Sequence, residues 1–236
     1  SYIVAIQFTK ANIYIRNTSI IYINCSLINS KVIATGSHSK TQLHFVNVNW
    51  RGENHTKLSI EGYKVVHFWN CYFNLLNTKH VHISVITFKN TDAIYMKACT
   101  FDKILGSVIM AKRVSYLELQ KVTIRNISLR KEFHPKQNFA VIFEHIEKML
   151  VRNVDFINIQ TKGMSINWAA KLLFENNTFQ HSKCPLQIKL FAKKSSTVIV
   201  FMKNSFKECF CYGASNVASV INTSKYKQNK ESKQHT

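Results

Sequence analysis

The chain has 236 residues, of which 46% are hydrophobic, and this length permits a single domain with a continuous core. Its 32 Lys and Arg residues outnumber 12 Asp and Glu residues, so the net charge of +20 favours a polyanionic partner. The sequence contains no nucleotide-binding loop, Ser or Cys nucleophile motif or zinc-ligand spacing, which argues against the enzyme classes that depend on them.

A repeat of Asn followed three residues later by an aromatic residue or Leu runs along the chain. Two repeats keep the apolar end without the Asn. The repeats end at Leu27, Trp50, Phe73, Phe101, Leu129, Phe156, Phe179 and Phe206, once per 23 to 28 residues. Every repeat is also apolar seven and five residues before its end, as at Leu43 and Phe45. Because residues two apart face the same side of a strand, each repeat predicts one strand with a buried face.

A second short apolar strand follows in each repeat, for example at Val32-Ile33 and Val108-Ile109-Met110. No segment between the strands has a helical period, so the strands must stack in parallel from coil to coil. We therefore predict an all-β fold, a right-handed parallel β-helix solenoid of about eight coils. Residues 1–222 form one domain, expected to continue into a longer solenoid, and the polar, Lys-rich tail 223–236 is expected to be disordered.

An Asn occupies the position three before the end of most repeats, in phase with the apolar residues. The Asn residues are Asn24, Asn47, Asn70, Asn126, Asn153 and Asn176, and Ala98 and Lys203 replace Asn in the other two repeats. Asn tolerates the left-handed backbone of a sharp turn, and stacked Asn side chains can hydrogen-bond to one another. The pattern predicts an Asn ladder along the solenoid.

These repeats resemble the right-handed β-helix, or pectin-lyase-like, superfamily over roughly residues 10 to 222. The resemblance rests on Asn24-Cys-Ser-Leu27, Asn70-Cys-Tyr-Phe73, Ala98-Cys-Thr-Phe101, Asn176-Asn-Thr-Phe179 and Lys203-Asn-Ser-Phe206. The superfamily includes polysaccharide lyases and hydrolases, adhesins and extracellular repeat proteins, so the resemblance implies an extracellular or cell-surface location and leaves the activity open.

Six cations are expected on the outward face of the regular strand. One column holds Lys97, Arg125 and Arg152, and a second holds Lys121, Lys148 and Lys171. Stacked strands lie ~4.8 Å apart, so these cations would form a compact patch whose mutual repulsion is relieved by an anion. The alternative is a solvated or otherwise neutralised face.

Aromatic and apolar residues are expected beside these cations. The strip includes His44, His67, Trp69 and Tyr95. Aromatic rings suit stacking on sugar faces, whereas a covering segment of protein would explain the strip equally well. No third ligand accompanies the two histidines, so we expect no metal site and no cofactor.

The leading hypothesis is a non-catalytic recognition or structural module that binds acidic polysaccharide or another polyanion. The competing hypothesis is a polysaccharide lyase with Arg125 or Arg152 as the base, because the three aspartates are too few for the hydrolases of the superfamily. Nucleic-acid binding through net charge is a third possibility, and flanking domains or end-to-end self-association are further possible partners. No apolar run is long enough for a transmembrane segment.

Cys25, Cys71 and Cys99 fall two before the ends of their repeats and are expected to be buried as small hydrophobic residues. Cys71 and Cys99 lie on neighbouring coils, so a disulfide between them is an open alternative. Three of the six glycosylation sequons coincide with the Asn column, at Asn24, Asn126 and Asn176, where a buried ladder residue would be a poor acceptor.

Overall fold

The computed structural model describes residues 1–37, 40–52, 57–77, 84–128, 139–189 and 198–209. These residues form strands and no helix. In chain order the strands are β1 (Tyr2–Val4), β2 (Gln7–Thr9), β3 (Asn12–Arg16), β4 (Ile20–Ile23), β5 (Ser26–Ile28), β6 (Lys31–Thr35), β7 (Gln42–Val46), β8 (Asn49–Arg51), β9 (Lys57–Glu61), β10 (Val65–Trp69), β11 (Tyr72–Asn74), β12 (Ser84–Lys97), β13 (Thr100–Leu105), β14 (Ser107–Gln120), β15 (Thr123–Ser128), β16 (Phe139–Arg152), β17 (Asp155–Ile159), β18 (Lys162–Glu175), β19 (Thr178–Gln180), β20 (Lys183–Lys189), β21 (Val198–Met202) and β22 (Ser205–Lys207).

The strands pair in parallel and stack coil on coil into two sheets. The first sheet has 13 strands and includes both β3-β6-β9 and β1-β4-β7-β10. These two sets merge into the 14-residue strands β12, β14, β16 and β18 and separate again as β20 and β21. The second sheet has nine strands in the order β2-β5-β8-β11-β13-β15-β17-β19-β22. The chain is therefore an all-β parallel solenoid of about eight turns, which confirms the predicted architecture.

The interior consists of stacked side chains from equivalent positions of successive coils. In the second sheet, the Phe73 ring lies 4.6 Å from Trp50 and 4.5 Å from Phe101, and all three are buried. In the first sheet, Phe45 stacks between Tyr22 and Phe68 at 5.2 and 4.8 Å. The predicted apolar columns are thus the core, and burial of these large rings is the main stabilising contribution.

A turn with left-handed backbone lies wherever a first-sheet strand is followed by a strand of the second sheet. Asn24, Asn47, Asn70, Ala98, Lys121, Asn153, Asn176 and Lys203 all have φ between 51° and 54°. Asn47 Nδ2 donates to Asn24 Oδ1 at 3.0 Å, Asn70 Nδ2 to Asn47 Oδ1 at 2.9 Å, and Asn176 Nδ2 to Asn153 Oδ1. These bonds confirm the ladder and explain the choice of Asn, which tolerates this backbone at low cost. The expectation of a buried ladder was wrong, because Asn24 and Asn176 are exposed at the turn.

The fifth coil corrects the predicted register. Strand pairing places Leu117 with Ile94 and Met149, and Ile124 with Phe101 and Phe156. The fifth repeat therefore ends at Ile124 rather than at Leu129, which lies outside the described residues. The prediction was wrong here because Lys121 takes the left-handed position that Asn usually fills.

Asn126 belongs to a different turn of the same coils. Its Nδ2 donates to Asp102 Oδ1 at 2.8 Å, and its Oδ1 accepts from Asn158 Nδ2 at 2.9 Å. Asn126 and Asn158 also have left-handed backbone, with φ of 56° and 54°. The solenoid thus carries a second polar ladder at the end of the second-sheet strands.

The cysteines expected in the core are buried and free. Cys25, Cys71 and Cys99 have relative exposures of 1–2%, and no disulfide joins Cys71 to Cys99. Their thiols donate to backbone carbonyls of their own and the preceding coil, as Cys71 Sγ does to Phe45 O in β7 at 3.3 Å. The described coils between residues 1 and 209 form one continuous stack, and the tail 223–236 lies outside the described residues.

Candidate functional site

Four of the six predicted cations lie on the outer face of the first sheet. Lys97 and Arg152 share a column in which Gln120 is the residue between them. Lys148 pairs directly with Lys171, and its neighbour on the other side is Tyr116. The face therefore holds two pairs of cations instead of two columns of three.

Arg125 and Lys121 lie elsewhere, which corrects the predicted patch. Arg125 is on β15 in the second sheet, between Asp102 and Ile157. Lys121 occupies the turn between the sheets, in the ladder position. Both errors follow from the register of the fifth coil. Its predicted end, Leu129, is five residues beyond the observed end, Ile124, so every residue of that coil was assigned to the wrong strand or turn.

Carboxylates neutralise three of the predicted cations. Arg152 Nε lies 2.9 Å from Glu175 Oε2, and Arg125 Nη2 lies 3.1 Å from Asp102 Oδ2. Lys97 Nζ lies 3.5 Å from Glu118 Oε1. For these three residues the structure therefore agrees with the alternative in which the cations are neutralised by the protein itself.

Lys148 and Lys171 are different because both are exposed and, among the described residues, neither forms an ion pair. The Lys148 ammonium lies 5.4 Å from the centre of the Tyr116 ring, within the range of a cation–π contact. The Tyr116 hydroxyl donates to Glu118 Oε2 at 3.1 Å, and burial together with this carboxylate raises the pKa of Tyr116 to about 12. Tyr116 therefore stays neutral and holds one face of its ring toward the lysine.

The predicted aromatic strip is present, but most of its rings stack on one another. His44 and His67 lie 4.9 Å apart with an interplanar angle of 9°, and His67 and Tyr95 lie 4.5 Å apart at 11°. A ring whose faces are covered in this way offers only its edge to a ligand. Trp69, with 59% of its surface exposed, is the member of the strip best placed to stack on a sugar.

Burial lowers the pKa of both stacked histidines. For His44 burial is the cause, and its Nε2 lies 3.1 Å from Gln42 Oε1. For His67 burial is the largest cause, and the charges of His44 and Lys97 lower the pKa further. Together they outweigh the charge of Glu118, which acts to raise it. The two rings are therefore neutral at pH 7 and form an uncharged end to the strip.

The ion pairs also affect the two arginines considered as lyase bases. Hydrogen bonding and charge from Asp102 raise the pKa of Arg125, so its guanidinium holds its proton more tightly than usual. Arg152 is held against Glu175. A base must release its proton before it can accept one, and a bound carboxylate opposes that release.

A basic cleft on the first sheet was missed by the sequence analysis. It has a volume of about 450 Å³ and lies where β9, β12 and β14 run side by side. Its lining residues are Lys57, Glu61, Thr87, Lys89, Asn90, Met110, Lys112 and Arg113. The sequence signal is a Lys in each of these three strands, and it becomes visible only when the coils are aligned.

No group of three or more His, Cys, Asp or Glu side chains that could hold a metal ion occurs in the described part of the chain. Within the same residues, no helix is long and apolar enough to cross a membrane. No protein-family model matches the chain, and no curated protein matches it either.

Proposed function

We propose that this chain is a non-catalytic recognition module that binds acidic polysaccharide or a related polyanion on its outer surface. The observation that carries the proposal is the pair of Lys148 and Lys171, which face solvent on adjacent coils without an ion-pair partner among the described residues. Strands in a sheet lie ~4.8 Å apart, so the two lysines start from neighbouring backbone positions and both ammonium groups can reach one bound anion.

The rigid stack of coils supports a binding role. Because every coil is hydrogen-bonded to the next, the backbone that carries the cations is ordered before the ligand arrives, and no backbone entropy has to be lost there on binding. Trp69 supplies an exposed aromatic surface on the same sheet. We also propose an extracellular or cell-surface location, on the basis of the resemblance to extracellular β-helix proteins.

The test is binding of the whole chain to an immobilised glycan panel of polyuronates, sulfated glycans and uncharged glucans. The proposal expects saturable binding to acidic glycans and none to the uncharged ones. Binding that is equal for all three classes, or absent for all, would reject it. Affinity that collapses at moderate salt, with equal affinity for DNA, would favour nonspecific attraction to polyanions over polysaccharide recognition.

A further inference from the structure

The basic cleft differs from the Lys148 and Lys171 pair because it is a concave surface lined by a larger number of cations. Four cations, Lys57, Lys89, Lys112 and Arg113, line it together with one carboxylate, Glu61. The volume of about 450 Å³ lies within the range of small-ligand sites in proteins. Thr87, which is only 9% exposed, adds a polar side chain to the lining.

Few of these cations are neutralised by the protein. Lys112 Nζ lies 3.1 Å from Glu144 Oε2, outside the cleft lining, and Glu61 Oε1 accepts a hydrogen bond from Asn90 Nδ2 at 3.1 Å. Lys57, Lys89 and Arg113 form no ion pair within the described part of the chain. The cleft thus keeps a net positive charge even when Glu61 and Glu144 are both counted.

Strand register keeps the backbone positions of the lysines close together, and it places Glu61 on the other side of Lys89. Lys89 pairs with Lys112 across β12 and β14, and Lys57 pairs with Lys31 across β9 and β6. Burial, and then the charges of Lys31 and Lys89, lower the pKa of Lys57. Like-charge repulsion and burial therefore cost the fold free energy at these lysines, and a bound anion would reduce that cost.

We propose that the cleft binds a densely sulfated segment of a saccharide chain. This inference rests on the proposed function and narrows its ligand class. A polyuronate brings only one carboxylate with each sugar, whereas two sulfated sugars within this volume can bring several anionic groups against the four cations. Sulfate oxygens accept hydrogen bonds from several ammonium and guanidinium donors at once.

The experiment measures the affinity of the full chain for a highly sulfated heparin-type hexasaccharide and for an oligogalacturonate of equal length, by calorimetry. The test variant is Lys57→Gln with Lys89→Gln. The matched control is Lys103→Gln with Lys207→Gln, which removes the same charge from exposed positions of the second sheet. Thermal unfolding shows whether each variant is folded. If the double variant does not fold, the single variant Lys89→Gln, at an exposed position, is measured in its place.

We expect tighter binding of the sulfated hexasaccharide, a loss of about tenfold or more in the cleft variant, and about twofold or less in the control. Equal losses in both variants, or tighter binding of the oligogalacturonate, would overturn the cleft assignment and leave the proposed function standing. Equal affinity for a DNA oligonucleotide of the same charge would overturn the saccharide class. Binding of neither oligosaccharide by the wild-type chain would reject both proposals.

Discussion

The guanidinium of Arg125 lies 3.1 Å from the carboxylate of Asp102, which occupies the preceding coil of the second sheet. Asn126 Nδ2 donates to the other oxygen of the same carboxylate at 2.8 Å. Asp102 is 4% exposed, so its charge is stable there only because both oxygens have partners. The arginine that sequence analysis assigned to an anion site is thus the partner of an internal anion.

This network predicts how acid weakens the fold. Burial alone would raise the pKa of Asp102, but hydrogen bonds from Asn126 and Arg125 and the charge of Arg125 outweigh it and lower the pKa. A carboxylate with a lowered pKa stabilises the fold fully above its unfolded pKa of about 4, and this contribution is lost as the pH falls through the folded value. Asp102→Asn should cost roughly 1–2 kcal/mol at pH 7 and weaken the dependence on pH below about 4.

Urea unfolding between pH 3 and 7 measures both effects. Asp155→Asn is the matched control, since Asp155 lies two coils further along the second sheet and forms no ion pair among the described residues. An Asp102→Asn variant as stable as the wild type at pH 7 would contradict the structural role.

A second prediction concerns the interrupted Asn ladder. Lys121 has φ of 53° and stands next to Asn153 in the ladder column. Lys121→Asn should stabilise the protein by roughly 0.5–1 kcal/mol, because Asn prefers this backbone and can hydrogen-bond to Asn153. The adjacent change Gln120→Asn, outside the turn, should give no such gain. If Lys121 lay on a strand, as the sequence suggested, neither change would stabilise the fold in urea unfolding.

The structure also shows why the fifth coil was misread. Apolar columns such as Leu43 and Phe45 are readable because the interior of every coil must be apolar. The turn position needs only a left-handed backbone, which Lys121 can adopt at modest cost, so Asn is not obligatory there. Asn126 lies at another left-handed position, yet Leu129 follows it at the spacing of the repeat. Because of this coincidence the predicted alignment assigned Arg125 and Lys121 to the wrong columns.

The cleft was not predictable for a related reason. Lys57, Lys89 and Lys112 are far apart in sequence, and their proximity depends on the register of strands whose repeats vary in length. Ion pairs such as Arg152 with Glu175 depend on side-chain position as well as register. The interior was therefore predictable from residue type, whereas the charged surface required the stacking of coils.

A third prediction tests the stacked core. Phe73 is buried between Trp50 and Phe101, so Phe73→Ala should cost about 3–5 kcal/mol through lost burial and an internal cavity. Phe206 is 46% exposed and stacks on Phe179 from one side, so Phe206→Ala should cost about 1 kcal/mol or less. Equal losses in urea unfolding would show that the columns do not form a continuous core.

The stacked histidines give a fourth prediction. The pKa values of both histidines are lower in the folded chain than in the unfolded chain. As the pH falls below about 6.5, the unfolded chain therefore binds more protons than the folded chain, and the free energy of unfolding decreases. His67→Gln should flatten the dependence of unfolding free energy on pH between 7 and 5. The exposed His145 is the control, and a flattening of the same size in His145→Gln would contradict the assignment to the stack.

One paired measurement shows whether the chain binds acidic saccharide without cleaving it. The full chain is titrated with polyuronate and with sulfated oligosaccharide while binding heat and the absorbance of unsaturated sugar products are recorded. We predict saturable binding and no rise in absorbance. A rise that is lost in Arg125→Ala or Arg152→Ala, or the absence of binding to both ligands, would contradict it.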